Sequence, residues 1–378
     1  MPGIPEPLRR LPKQHPATWQ RVLLEEFRSI PGLQLHIISV RRHYERHYRF
    51  ELDGVTFHCL KLPRGMRTLS LFWWETFLIR RCLKTVQPDL VHAWGTERGA
   101  AMVASRLKYP YVVTMQGLLE WYLEQVDLGP LTRLEARFER ISLRRASVVT
   151  VESTFGRQWL KERYPHLTLC QAEHAPNWLF HRLTRQPETS PLRFLFVGLI
   201  CELKGGDLLI KALDRLRTEL DFKLIVVGSG KPDYLAQLKA VTSQALWDRV
   251  EFRQGLSPAQ VGEELSRATM MLFPTRADNS PNSVKEAVVA GVPVVASAIG
   301  GIVDYVVPDR NGLLFPSGNL EEFVSAIRRA AQHPLLSRGT VDSETLASRR
   351  EYLSPRVMAE KFLSAYREAL KQRPPGRV

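Results

Sequence analysis

Two carboxylates and a run of short polar side chains stand together in FPTRADNSPNSVKEAVVAGVPVVASAIGG, residues 273–301. Asp278 and Glu286 are eight positions apart, on either side of a Pro-containing turn. A helix that begins near Ser283 holds Glu286 in its first turn. It also leaves the Ser283 and Val284 backbone N–H groups without intrahelical acceptors, so that end of the helix suits an anion. Asp278 then lies on the loop before the helix, with Asn279, Ser280 and Asn282 between the two acids. One element thus offers amides for a phosphate, a carboxylate for hydroxyls, and a second carboxylate close to a reacting centre.

A second block, FLFVGLICELKGGDLLIKAL at 194–213, reads as a buried strand, a loop with Gly198, Gly205 and Gly206, and an amphipathic helix. Leu208, Leu209, Ala212, Leu213 and Leu216 recur at helical spacing. Gly198 at the strand end permits close approach of backbone to a ligand. Lys204 near the helix start is placed to neutralise a phosphate. KLIVVGSGK at 223–231 is another strand that closes in glycines, Gly228 and Gly230. Alone, each block has a plainer reading: an ordinary βα connection, with two solvated acids in the first case. Their pairing, with the flanking PT, KEA, AGVPVV and GG, argues for a ligand site.

Together these motifs resemble the acidic-x7-Glu signature of the retaining, nucleotide-sugar-dependent glycosyltransferases of family 4 (group 1), which have the two-domain GT-B fold. The resemblance covers about residues 190–370 and includes VEFRQGLS at 250–257, near the family's nucleobase. It also includes the run from GGIVDYVVPDRNG onward, with Asn311-Gly312 read as a hairpin-type turn. The resemblance implies roles by position. Glu286 binds the donor ribose, and Asn282, Ser283 and Val284 at the helix start hold the diphosphate. Asp278, Asn279 and Ser280 face the donor sugar. Gly198, Lys204 and Gly228 underlie the nucleotide, with Lys204 on its diphosphate. Gln116 and Gly117 stand on the acceptor side. Three departures are visible: Asp278 where the family often has Glu, Leu199 where it commonly has Arg, and Gln116 where it often has His.

The implied architecture is α/β, two Rossmann-like doubly wound parallel-sheet domains facing a cleft (GT-B type). Residues 1–186 form the acceptor-side domain, 187–355 the donor domain, and 356–378 a helix crossing back to the first. The implied reaction moves a sugar from a nucleotide-diphosphate sugar to an acceptor with retention, in glycan, polysaccharide or glycolipid synthesis. The acceptor is then a glycan or is lipid-linked. The nucleotide sugar is the donor substrate, and no further cofactor or metal is called for. A nucleotide-sugar epimerase on the same fold and a catalytically silent donor-binding relative stay open.

The length of 378 residues, 44% of them hydrophobic, suits two α/β cores better than one. Four cysteines without a C-x-x-C pair read as free thiols in a reducing compartment, with no zinc site. His43 and His47 lie among Arg and Tyr, which speaks against a metal there. A Pro-rich, charged opening lacks the pattern of a signal peptide. The longest uncharged run, 287–303, is broken by Gly291, Pro293, Gly300 and Gly301, so no segment reads as a membrane span. The expected location is cytoplasmic, or peripheral on the inner membrane face. A net charge of +14 calls for an anionic partner. Nucleoside diphosphates and an anionic membrane surface answer that call better than nucleic acid.

In the first half, strand-like runs at 33–40, 55–62, 88–95, 111–117 and 147–153 alternate with helical patterns, the first reading as fully buried. That alternation predicts a parallel, doubly wound sheet. The chain opens at MPGIPEPLRR, where the family has an apolar first strand, so that strand is expected to be missing from the given sequence. RRHYERHYRF at 41–50 reads as a solvated loop between strands rather than a nucleic-acid patch. RGMRTLSLFWWETFLIRRCLK at 64–84 reads as a core-facing amphipathic helix, with an anionic membrane as the alternative. Leu131, Leu134, Phe138 and Ile141 read as the core stripe of a helix with a basic outer face.

Overall fold

Short runs of Val, Ile, Leu and Phe become strands here because amphipathic helices between them cover both faces of the sheets. The computed structural model describes residues 4–10, 18–96, 99–126 and 129–372. The expectations for the opening residues fall partly on 1–3 and 11–17, and those for the chain end on 373–378, outside the described residues.

The first half builds two sheets. Strands β1 (Leu35–Arg41), β2 (Tyr48–Leu52) and β3 (Val55–Lys61) pair in the order β1-β3-β2, with β1 parallel and β2 antiparallel to β3. Strands β4 (Val91–Trp94), β5 (Tyr111–Thr114), β6 (Val148–Val151) and β7 (Thr168–Gln171) form a separate parallel sheet in chain order. Two expectations are corrected here. β1 is mostly half-buried rather than fully buried, because it is an edge strand of a small sheet. The 41–50 segment is a loop only to its middle: Tyr48 onward joins β2, with Tyr48 buried and Phe50 stacked on Phe57 at 5.1 Å.

The second half forms one six-stranded parallel sheet from β8 (Leu192–Val197), β9 (Phe222–Val227), β10 (Val250–Arg253), β11 (Met270–Phe273), β12 (Val294–Ser297) and β13 (Gly312–Phe315). Its order is β10-β9-β8-β11-β12-β13. The chain therefore winds one way from β8 and the other way from β11, and these two are neighbours, Met271 beside Leu195. Such a reversal leaves a crevice at the strand ends. Because β12 and β13 run parallel, Asn311-Gly312 is not a hairpin turn. Asn311 is instead buried, accepting the Val307 N–H at 2.6 Å and donating to the Tyr305 carbonyl at 3.0 Å.

Six helices matter below: α1 (Thr18–Phe27), α2 (Trp73–Val86), α3 (Gly129–Leu143), α4 (Gly206–Leu216), α5 (Asn282–Ala290) and α6 (Pro355–Lys371). The last, α6, packs on the first half of the chain. Met358, Ala359 and Phe362 meet Trp19, Val22, Leu23 and Phe27 of α1, and Ala365 and Ala369 meet Val112 and Val148. Two helices depart from expectation. In α2 the side chains turned inward are Glu75, Thr76 and Leu83, while Trp73, Trp74 and Phe77 are exposed. In α3 the buried stripe is Ala136, Glu139 and Leu143, and Leu131, Leu134 and Ile141 face solvent. Both helices carry two candidate stripes, and contact with the helix at Ala100–Ala104 decides which one turns inward.

Candidate active site

Lys204 and Asp278 are far apart in sequence, yet the β8–β11 adjacency brings the loops after both strands together. Lys204 Nζ makes an ion pair with Asp278 Oδ2, and Asp278 is nearly buried. The backbone around this pair is fixed by two glycines in the left-handed region. A Cβ on Gly205 (φ 68) would lie 1.8 Å from the Pro274 carbonyl oxygen, and one on Gly300 (φ 57) would lie 1.8 Å from the Asp278 carbonyl oxygen. No larger residue fits either place. The Gly301 N–H donates to the Asn279 carbonyl at 2.6 Å. Arg276 completes the wall: its guanidinium grips Asp207 at the start of α4 through two contacts, 2.6 and 2.8 Å, and donates to the Glu202 carbonyl at 2.7 Å.

Beyond this wall α5 begins at Asn282, one residue ahead of the expected Ser283, with Pro281 as its N-cap and no side chain capping it. The amides of Asn282, Ser283 and Val284 therefore keep their donor capacity for a ligand. The Val284 side chain is fully buried, so only its backbone can serve. Asn279 accepts from the Ser153 hydroxyl at 2.8 Å, and its backbone N–H donates to the Tyr122 hydroxyl at 3.1 Å. Its side-chain Nδ2 is buried with no partner. Ser280 is buried beside it. Because the helix starts at Asn282, Glu286 is its fifth residue and lies just past the first turn expected for it; burial lifts its carboxyl to about 7 despite the nearby Lys285. Gly198 and Gly228 close β8 and β9 on the same side of the sheet, their N–H groups bonded to Val227 and Arg253 carbonyls at 3.0 and 2.9 Å. Leu199, next to Gly198, is exposed and offers no cation to a phosphate.

The first-half sheet contributes from its own strand ends. Gln116 and Gly117 lie on the loop after β5, where Met115 and Leu118 pack with Ala277 and Leu203 beside the acidic loop. From the end of β6, the Thr154 N–H donates to Asp304 at 2.8 Å. Glu152, also at that end, takes part in a buried network that crosses between the halves. Lys285 is fully buried and its Nζ donates to Glu152 Oε2 at 3.0 Å. His174 Nδ1 lies 3.0 Å from Glu152 Oε1, and its ring stacks on Trp19 at 3.7 Å. Burial alone would push the Glu152 carboxyl up, but His174 and Lys285 outweigh it and hold the carboxyl below its usual range. Burial keeps His174 low, against the pull of Glu152. The network is thus a Glu–Lys ion pair with a neutral histidine donor.

The carboxylates, Lys204, the glycines and the α5 start, all singled out from sequence, converge at one set of strand ends. Sequence reasoning missed Arg276, Glu152, His174 and Lys285. A signal existed for Glu152, an acid directly after the apolar run SVVTV; nothing in the pattern marked the others. Among the described residues no three His, Cys, Asp or Glu side chains gather as metal ligands, and no helix is long and apolar enough to cross a membrane.

A profile of the family described as Glycosyltransferase Family 4 matches residues 21–177, and one described as Glycosyl transferases group 1 matches residues 191–333. The chain belongs to the group 1, family 4 glycosyltransferases. A D-inositol 3-phosphate glycosyltransferase of Xylanimonas cellulosilytica is 34% identical over 34% of this chain and 31% of its own length. An uncharacterised glycosyltransferase of Bacillus subtilis is 28% identical over 60% of this chain and 63% of its own. The chain thus spans between about a third and just under two thirds of these relatives. Among solved structures, sucrose-phosphate synthase from Thermosynechococcus elongatus superposes with a TM-score of 0.77 at 17% identity, covering 94% of this chain and 93% of that one. Anabaena HepE in complex with UDP-glucose gives 0.63 at 17% identity over 77% and 82% of the two chains. The fold is therefore GT-B: two α/β domains with parallel sheets.

Proposed function

We propose that this protein is a retaining glycosyltransferase that moves a sugar from a nucleoside-diphosphate sugar to an acceptor hydroxyl. The observation that carries the reading is the Lys204–Asp278 pair at the sheet's reversal point, beside an uncapped helix start with Glu286 just past its first turn. Departure of a diphosphate builds negative charge, which the α5 amides and Lys204 are placed to stabilise. The sugar left behind gains oxocarbenium-like positive charge, which suits the Asp278 carboxylate. Glu286 then receives the ribose hydroxyls. Likeness to a fold that holds UDP-glucose in HepE supports a uridine nucleotide as first probe. We place the reaction in glycan, polysaccharide or glycolipid assembly at the cytoplasmic side, with a glycan or lipid-linked acceptor.

A thermal-shift screen of nucleoside diphosphates and nucleotide sugars tests this, since a ligand that prefers the native state raises its melting temperature. One diphosphate series is expected to stabilise the protein, and Lys204→Ala is expected to weaken its affinity about tenfold or more, as loss of a charge-assisted contact does. A folded variant with unchanged affinity removes Lys204 from the site. Donor binding without turnover on any acceptor would point to a silent relative, and donor isomerisation to an epimerase.

A further inference from the structure

The surface that α2 and α3 present is not used by the cleft. Leu69 is 82% exposed, Trp73 53%, Phe77 56% and Leu131 68%, with Leu71, Trp74, Leu134 and Ile141 also open to solvent. Monomeric proteins rarely leave so many large apolar side chains uncovered in one region. They belong to one region because Phe72, between Leu71 and Trp73, is buried against Met102 and Val103 and meets Phe138 of α3 edge-on at 5.3 Å. Leu71 and Phe72 both have left-handed backbones, φ 46 and 66, which are costly for residues with a Cβ. That turn buries Phe72 and throws Leu69, Leu71 and Trp73 outward. A Cβ on Gly99 would sit 2.2 Å from the Phe72 ring, so the anchor depends on glycine there.

The charge on this surface is mostly basic, with Glu135 of α3 the partly exposed acid beside Leu131 and Leu134. Trp74, Phe77, Arg81 and Lys84 follow at i, i+3, i+7 and i+10, which puts them on one face of α2. Arg106 lies over the Trp73 ring at 4.3 Å and Arg80 at 5.9 Å. Arg137 and Arg145 are exposed on or just after α3. Burial, then Arg145 and Arg80, lower the Arg106 guanidinium, so the cations sit close enough to repel one another. The acid of α2, Glu75, is buried and paired with Arg67 at 2.7 Å, and Glu139 of α3 is buried as well.

We propose that this aromatic and basic face seats the protein on an anionic lipid bilayer, with Trp73, Trp74, Phe77 and Leu131 entering the headgroup region and the arginines meeting lipid phosphates. At a protein interface lysine is depleted and most charge is kept to the rim. The interspersed arginines and interfacial tryptophans are instead the composition of a helix that lies in a membrane plane. The surface is independent of the donor chemistry, so either proposal can fail without the other.

Co-sedimentation of the full chain with vesicles of phosphatidylcholine, with and without phosphatidylglycerol, tests it. Binding is expected to rise with the anionic fraction and to fall with added salt. Arg81→Gln with Lys84→Gln is expected to weaken it roughly fivefold per charge removed. Trp74→Ser with Phe77→Ser is expected to abolish it, while the circular-dichroism melts of both variants stay cooperative, as for the parent, and show a folded chain. Equal pelleting with neutral vesicles, or unchanged binding by both folded variants, overturns the proposal. So does a dimer in solution that the Trp74 and Phe77 substitutions dissolve without any vesicle binding in the parent, which would assign the face to a second copy of this chain.

Discussion

Glu286 and Glu152 are both enclosed carboxylates, and their surroundings push them in opposite directions. Glu286 has no cation bonded to it and is lifted to about 7, whereas Glu152 has Lys285 and His174 against its two oxygens and is held low. A raised carboxyl means that the folded protein keeps a proton the unfolded chain has released, so stability declines as pH rises from the ordinary range of about 4.5 to about 7. Glu286→Gln removes that burden. The ligand-free variant is expected to exceed wild type by about 1–3 kcal/mol in chemical denaturation above pH ~7, and to match it below pH ~4. A variant less stable than wild type at alkaline pH contradicts the assignment. This residue was legible in sequence because it rests on a local pattern, an acid near the start of a helix after a polar loop, although the helix begins one residue early and leaves it past the first turn. Arg276 was not, since its meaning depends on Asp207, which approaches only when β8 and β11 pair.

At the scale of elements, the Lys285–Glu152 bond ties α5 of the donor-side sheet to the end of β6 in the first sheet. Both groups are fully enclosed, so removing Glu152 leaves Lys285 without its carboxylate, and removing Lys285 leaves a buried Glu152 with only the neutral His174 against it. Lys285→Met is expected to cost ~3–5 kcal/mol, and adding Glu152→Gln should recover much of it, as in other buried pairs replaced together. Additive losses in a urea double-mutant cycle would show that the two do not act on each other. Strands β1, β3, β4, β5, β6, β8 and β9 were readable from their apolar runs, whereas the short β7 and the inward faces of α2 and α3 were not. Leu131, Leu134, Phe138 and Ile141 have sound helical spacing, but so does the stripe of Ala136, Glu139 and Leu143. Size favours the first stripe and close approach to the helix at Ala100–Ala104 favours the second, and the packing follows the second. The antiparallel β2 was hidden in the same way, inside a basic run whose composition resembles a loop.

The whole molecule sets the C-terminal ends of two parallel sheets around one site, with α6 anchored on the first sheet. In that arrangement one loop supplies Lys204 and another Asp278, and without ligand each neutralises the other. A bound diphosphate would draw Lys204 toward its phosphates and leave Asp278 for the sugar. The account therefore assigns the two acids different work, Glu286 to binding and Asp278 to the reaction. The direct measurement compares donor turnover with calorimetric affinity for the nucleoside diphosphate in Asp278→Asn and Glu286→Ala. Asp278→Asn is expected to lower kcat by about a hundredfold or more while it binds the diphosphate at least as tightly as wild type, because Lys204 has lost its competitor. Glu286→Ala is expected to lose affinity and turnover together. Full activity in both variants, or lost diphosphate binding in Asp278→Asn, would contradict the account.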